Sequence, residues 1–321
     1  MSDHSHQGSH LSVVRGDTRT RNTGPHYLTL GATLYIPATH PDLLAVLNRE
    51  KLPGLRSVVV CTEDAILEQE LPRALNALAR GLERLEDGPL LRFVRPRNPG
   101  VMARLLRLPG IEHLDGFVLP KVDLDHWPRY AELAARWPAL ALMPTLETAI
   151  AFDRRALERL RERLLEAGNP IVCLRIGGND LLQCLGLKRP KNLTLYDTPL
   201  RAVVNDLVLT FRPAGLALSS PVFEHLDSPQ TLARELELDL AHGLLAKTAI
   251  HPAQIPVIEA AYRVCSQERE LAERILAPDA PAVFQMHGQM VEPATHNRWA
   301  EQLLLRAQVY DNEGPVQQRL N

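Results

Sequence analysis

Eight short β-like runs recur along one stretch of the chain, and their alternation with helical segments restricts the fold more than any other feature of the sequence. The runs occupy residues 30–36, 57–61, 90–94, 116–119, 139–144, 171–176, 215–218 and 246–250. Between them lie segments such as 69–85, 149–167, 199–211, 231–242 and 255–277, where apolar residues recur at three- and four-residue spacing, the period of an amphipathic helix. Strand followed by helix implies right-handed crossovers and a parallel sheet, and eight such units close most simply as a TIM (β/α)8 barrel. A doubly wound open sheet is the fold alternative. A dinucleotide-binding sheet of that kind carries a glycine-rich turn after its first strand, whereas that position here reads Tyr35-Ile36-Pro37-Ala38-Thr39.

The alternation fills 27–277, the length of a single barrel, and divides the 321 residues into three parts. Residues 1–26 form a polar, aperiodic tail; 278–321 form a C-terminal helical arm or lid. Lys plus Arg number 36 and Asp plus Glu 38, for a formal net charge of -2, with no basic cluster dense enough to track nucleic acid. The same absence leaves no obvious groove for a nucleotide. No apolar run reaches the length of a membrane span and the N-terminus lacks the apolar core of a signal peptide, so the expectation is a soluble, cytoplasmic protein. Cys61, Cys173, Cys184 and Cys265 form no close pair, which excludes a zinc knuckle or disulfide framework as the organising element.

In a parallel barrel the chemistry sits at the carboxyl ends of the strands. Six of the runs deliver charge there: Glu63 and Asp64 after the second, Arg95 after the third, Lys121 after the fourth, Glu147 after the fifth, Asp180 after the sixth, and Lys247 in the eighth. Glu147 and Asp180 fall on adjacent strand ends and offer hard oxygen ligands, which suits Mg2+ or Mn2+ with room left for water and substrate oxygens. Arg95 offers a planar fork matched to a carboxylate, Lys121 and Lys247 add positive charge, and the small residues Gly177 and Gly178 allow close approach to the backbone. Tyr196 and Asp197, in the loop after the sixth run, are candidates to shape substrate entry.

These residues stand in motifs similar to those of the citrate lyase beta-subunit and HpcH/HpaI aldolase superfamily. The motifs are Tyr35-Ile36-Pro37-Ala38, Thr62-Glu63-Asp64-Ala65-Ile66, Arg95, Pro120-Lys121, Glu147-Thr148-Ala149, Asp180-Leu181 and the run from Lys247 through Ala249-Ile250-His251-Pro252 to Gln254-Ile255. The resemblance implies a metal-dependent carbon–carbon lyase on a TIM barrel, with Glu147 and Asp180 as metal ligands and Arg95 on the substrate carboxylate or carbonyl oxygen. It implies that Glu63 and Asp64 order metal-bound water or assist proton transfer, and that an enolate is stabilised when the bond breaks. Its substrate would be a small oxo or hydroxy acid or the CoA thioester of one. A Schiff-base lysine, Lys121 or Lys247, is the other aldolase strategy.

The segment from Phe284 to Pro293 resembles the arm that in relatives closes over a neighbouring subunit's site, so the resemblance implies a homotrimer or homohexamer with Glu292 as an acid or base. Glu292 stands where relatives carry Asp, and Cys61-Thr62 stand where they carry Asp-Leu. Cys61, beside the negative charge of Glu63, is expected to pack rather than to act as a nucleophile. These departures point to a divergent branch similar to citrate-lyase-like proteins found with stress-response genes. They also motivate a second class of function, a non-catalytic metal- or ligand-binding protein of a stress-response assembly.

Overall fold

The computed structural model describes residues 25–311. Within them eight parallel strands form one sheet: β1 (Ala32–Pro37), β2 (Ser57–Cys61), β3 (Leu91–Arg95), β4 (Gly116–Leu119), β5 (Ala141–Leu146), β6 (Leu174–Ile176), β7 (Leu218–Ser219) and β8 (Lys247–Ala249). The order is β7-β6-β5-β4-β3-β2-β1-β8. Its ends meet through a parallel bridge between Ser220, just past β7, and Lys247 of β8, and the Ser220 N–H donates to the Ala246 carbonyl at 2.7 Å. The sheet is thus the barrel that the alternation requires, and the open-sheet alternative fails.

Side chains alternate between two cores, as the twofold period of a strand demands. Val59, Phe93, Val118, Met143 and Cys173 fill the barrel interior. Val58, Val60, Val94, Phe117 and Leu142 face outward onto helices such as Leu71–Leu82, which presents Leu71, Ala74, Leu75, Leu78 and Leu82 along one stripe. Asn98 and Asp153 start the helices Pro99–Leu105 and Arg154–Leu165 by accepting from Val101 and Ala156 N–H at 2.9 and 3.1 Å. Toward the carboxyl ends of the strands the inward positions turn polar: Cys61 pairs in register with Arg95, and Thr145 with Arg175.

Several boundaries differ from the sequence expectation. β5 extends to Leu146 and delivers Glu147 directly from its end. β7 is shorter and later than 215–218, because Gly215 has φ 85° and ends the preceding helical turn. The helical stretch 255–277 is two helices, Ile255–Ala261 and Ser266–Leu276.

The arm is a hairpin, β9 (Phe284–Met286) and β10 (Gln289–Val291), followed by the helix Pro293–Tyr310. Val291, Ala300 and Leu303 close a small separate core on Leu271, Ala272 and Ile275. The helix then runs beneath the barrel, where the Tyr310 hydroxyl donates to the Leu28 carbonyl at 2.8 Å and Arg56 donates to the Val309 carbonyl at 3.1 Å. Leu28 precedes β1 and Arg56 precedes β2, so this helix occupies the face opposite the strand ends that carry charge. The expected tail lies outside the described residues except for its last two positions, as does the end of the arm beyond 311. Among the described residues no helix is long and apolar enough to cross a membrane.

Candidate active site

The strand ends of β2 to β6 bring most of the expected residues together. Glu63, only 2% exposed, is held between two cations: Arg95 Nη2 lies 2.8 Å from its Oε2 and the Lys121 ammonium donates to its Oε1. Asp64, more than half exposed, lies 3.7 Å from both cations. Lys121 adopts φ 51°, a left-handed conformation that a non-glycine residue reaches only under constraint. That turn aims its own N–H at Glu147 Oε1, 2.8 Å away, while the ammonium turns to Glu63. Burial works against the ammonium, but the Glu63 contact holds its pKa above the ordinary lysine value. A protonated amine cannot open a Schiff-base route.

Glu147 is buried, and burial together with the negative charge of Asp180 pushes its carboxyl up to about 7. Asp180, in the first turn of the helix Gly178–Cys184, is half-buried, and burial raises its pKa as well. A buried carboxyl whose proton affinity is raised by burial and by a neighbouring carboxylate is what a divalent cation relieves, and oxygen donors of this kind fit Mg2+. They number two: among the described residues no group of three or more His, Cys, Asp or Glu side chains is placed to hold a metal ion. A Mg2+ bound by few carboxylates, with water and substrate completing its shell, is consistent with that count.

Other expected site residues serve different ends. The space left by the missing side chain of Gly177 is taken by the Glu147 side chain, and a Cβ on Gly178 would meet Pro221 at 2.9 Å. The glycines therefore admit protein groups rather than open the backbone to a ligand. Lys247 is fully buried away from this cluster, with its ammonium 2.9 Å from Glu235 Oε1 and 2.8 Å from Asp239 Oδ2, so its charge is consumed by a structural ion pair. Tyr196 is buried in the same network, its hydroxyl donating to Asp239 at 2.7 Å, and Asp197 accepts from the Thr194 N–H at 2.8 Å. Neither shapes an entrance. Glu292 is exposed at the start of the last helix and meets none of the rim residues within its own chain.

The structure adds to the cluster residues that the sequence did not place in the site. Cys61 is buried, with its Sγ accepting from Arg95 Nε at 3.3 Å, so it touches the cluster. Tyr35 of β1 lies under two guanidiniums, with Arg95 at 5.5 Å and Arg175 at 5.3 Å from its ring centre. The signal for Arg175 was available: a charged residue inside an apolar strand, on the inward phase shared with Gly177. Beside Lys121, a cavity of about 380 Å³ is lined by Arg97, Asn98, His126, Arg129 and Tyr130 among others. Its arginines come from the loop after β3 and from the helix Trp127–Ala134, which is why no basic run marks them in the sequence.

The family model for carbon–carbon bond lyases of the TIM-barrel fold matches residues 25–311. A citrate lyase subunit beta-like protein of Mycobacterium tuberculosis is 31% identical over 288 residues, covering 85% of this chain and 94% of that one. A (3S)-malyl-CoA thioesterase of Cereibacter sphaeroides is 28% identical over 263 residues, covering 81% and 86%. Among solved structures, CitE of M. tuberculosis in complex with magnesium, acetoacetate and coenzyme A has a TM-score of 0.66 at 24% identity, covering 88% of this chain and 99% of that one. RipC of Yersinia pestis has a TM-score of 0.57 at 20% identity, covering 75% and 99%. Both likenesses are of fold.

Proposed function

The chain belongs to the carbon–carbon bond lyases of the TIM-barrel fold, and on that premise we propose that it is a Mg2+-dependent lyase cleaving or forming a bond in a small oxo or hydroxy acid or its CoA thioester. One observation carries the reading: Glu147 and Asp180 converge at the barrel mouth with the Glu147 carboxyl raised to about 7, beside a paired Glu63–Arg95. Glu147 and Asp180 would hold a divalent cation there, and it would supply Lewis-acid polarisation of a substrate oxygen.

The chain's own groups do the rest. The Lys121 N–H orients Glu147. Arg95 and Lys121 pair with Glu63 and oppose the burial that raises its proton affinity, which makes Glu63 the carboxyl placed for proton transfer, while the exposed Asp64 stays a charged rim group. The cavity lined by Arg97, His126 and Arg129 accepts the phosphates of a CoA thioester. The exposed Glu292 completes the site of a neighbouring subunit in a homotrimer or homohexamer.

Calorimetry with Mg2+ and Mn2+ on the parent and on Glu147→Ala tests the metal site, and unchanged binding in the variant overturns the assignment. Malyl-, citryl- and methylmalyl-CoA and free 4-hydroxy-2-oxo acids, supplied with metal, test the chemistry. Carbon–carbon cleavage products support the lyase. Free thiol with the acid skeleton intact identifies a thioesterase instead, and no turnover with metal bound favours the non-catalytic binding protein.

A further inference from the structure

The buried ion-pair network beside β8 does more than neutralise Lys247. Its hub is Glu235, a fully buried carboxylate on the helix Pro229–Ala241 that accepts from three donors. Oε1 takes the Lys247 ammonium at 2.9 Å, and Oε2 takes Arg189 Nη1 at 2.5 Å and the Leu195 N–H at 2.7 Å. Arg189 is itself 1% exposed. Its Nη2 donates to the Val222 carbonyl at 2.8 Å and pairs with Glu224, and its Cζ sits 4.9 Å over the centre of the Phe223 ring. One buried pair therefore ties the stretch after β6, at Leu195, to the stretch after β7, at Val222.

The same two stretches close on the helix that carries Asp180. A Cβ added to Gly178, the first residue of the helix Gly178–Cys184, would meet the Pro221 side chain at 2.9 Å and Leu195 Cδ1 at 3.3 Å, so those side chains already fill the notch that the glycine leaves. Leu195 is the residue whose N–H Glu235 holds, and Pro221 is bonded directly to the residue whose carbonyl Arg189 holds. Asp180 stands two residues beyond Gly178 in the same helical turn, so the place of its carboxyl follows that of the notch. Glu147 has a different support, the Lys121 N–H.

A buried charged pair is a costly way to join two loops, since well-packed apolar side chains of similar volume stabilise a fold as well or better. What the pair adds is direction: a planar guanidinium and a carboxylate fix the backbone groups they bond at defined points. We propose that Arg189 and Glu235 are a positioning pair for Asp180, holding Leu195 and Pro221 against Gly178 so that the Asp180 carboxyl meets the metal beside Glu147. The inference rests on the Mg2+ reading above and extends it to residues outside the rim cluster.

The test is calorimetry with Mg2+ on the full-length protein, well below its melting temperature, with thermal unfolding followed by circular dichroism. Arg189→Met is expected to lose roughly tenfold in Mg2+ affinity, the scale on which residues that support a metal ligand act. Arg189→Lys keeps a charge beside Glu235, but a single ammonium does not serve Glu235 and the Val222 carbonyl as the fork does, and a loss of roughly threefold is expected. Tyr196→Phe is the control. It removes the hydroxyl that donates to Asp239 at 2.7 Å, in the same network but not on the tethers to Leu195 and Val222, and is expected to melt lower while binding Mg2+ as the parent does. Should Arg189→Met fail to fold, Arg189→Lys decides. Parental Mg2+ affinity in the folded Arg189 variants, or an equal loss in Tyr196→Phe, overturns the positioning role and leaves a structural network. A parent that binds no Mg2+ overturns the metal reading and this inference with it, which keeps the two failures apart.

Discussion

Lys121 serves two carboxylates with two different groups: its N–H donates to Glu147 Oε1 at 2.8 Å, and its ammonium pairs with Glu63. The left-handed backbone at this residue makes both contacts possible at once. Glu147 is thereby fixed by the backbone, whereas Glu63 is held mainly by two cationic side chains that a substitution can remove.

Gly177→Ala is expected to displace Glu147, because the added Cβ falls onto its Cβ and carboxylate. Mg2+ affinity should drop roughly tenfold or more with the fold retained, as a ligand is pushed off its geometry. Calorimetry with Mg2+ and circular dichroism check this; parental affinity would show that Glu147 is not the ligand.

Mg2+ affinity is expected to depend on pH. The Glu147 carboxyl of the metal-free protein titrates at about 7, so below that pH the cation must displace a proton. Affinity should fall about tenfold per unit below pH 7 and level off above it. Without metal, a carboxyl raised from 4.5 to about 7 makes stability fall as pH rises through that window, since the folded state binds the extra proton. Titrations in buffers of different ionisation heat measure the proton release directly.

Lys247→Met is expected to destabilise the protein by about 3–5 kcal/mol, because it leaves the buried Asp239 without a cation and Glu235 with Arg189 alone. Denaturant unfolding reads the loss. A change of less than 1 kcal/mol, about the worth of an exposed pair, would contradict the buried-pair account.

His126→Gln with Arg129→Gln is expected to weaken coenzyme A binding roughly three- to tenfold by removing a guanidinium and an imidazole from the cavity beside Lys121, leaving Mg2+ affinity alone. Equal affinity for coenzyme A in the double variant would place the nucleotide elsewhere or favour a free-acid substrate.

Much of this was legible in the sequence because barrels obey a simple rule: strands announce themselves by apolar runs, and the residues just past them face the site. Glu63, Arg95, Lys121, Glu147 and Asp180 follow that rule and meet. Lys247 breaks it, since it stands inside β8 rather than beyond it and points to acids on the helix Pro229–Ala241, an encounter that no local pattern encodes. Helices such as Pro99–Leu105 and Gly178–Cys184 span too few turns to show a period. The role of Gly177 depends on a side chain thirty positions upstream, so spacing alone reads it as empty space.

The seam where β7 meets β8 has a kinetic consequence. Ladders of three to five residue pairs join β1 to β2 and β8 and join β2 to β3, but the closing joint has the single Ser220–Lys247 bridge, reinforced by the grip of the Lys247 ammonium on the helix Pro229–Ala241 that connects β7 to β8. Closure there rests on electrostatics more than on backbone pairing. Amide protons at Ser220 and in β8 should therefore exchange ahead of those in β2 and β3, and low pH, by neutralising Asp239, whose proton affinity burial raises, should unzip the barrel from this joint first.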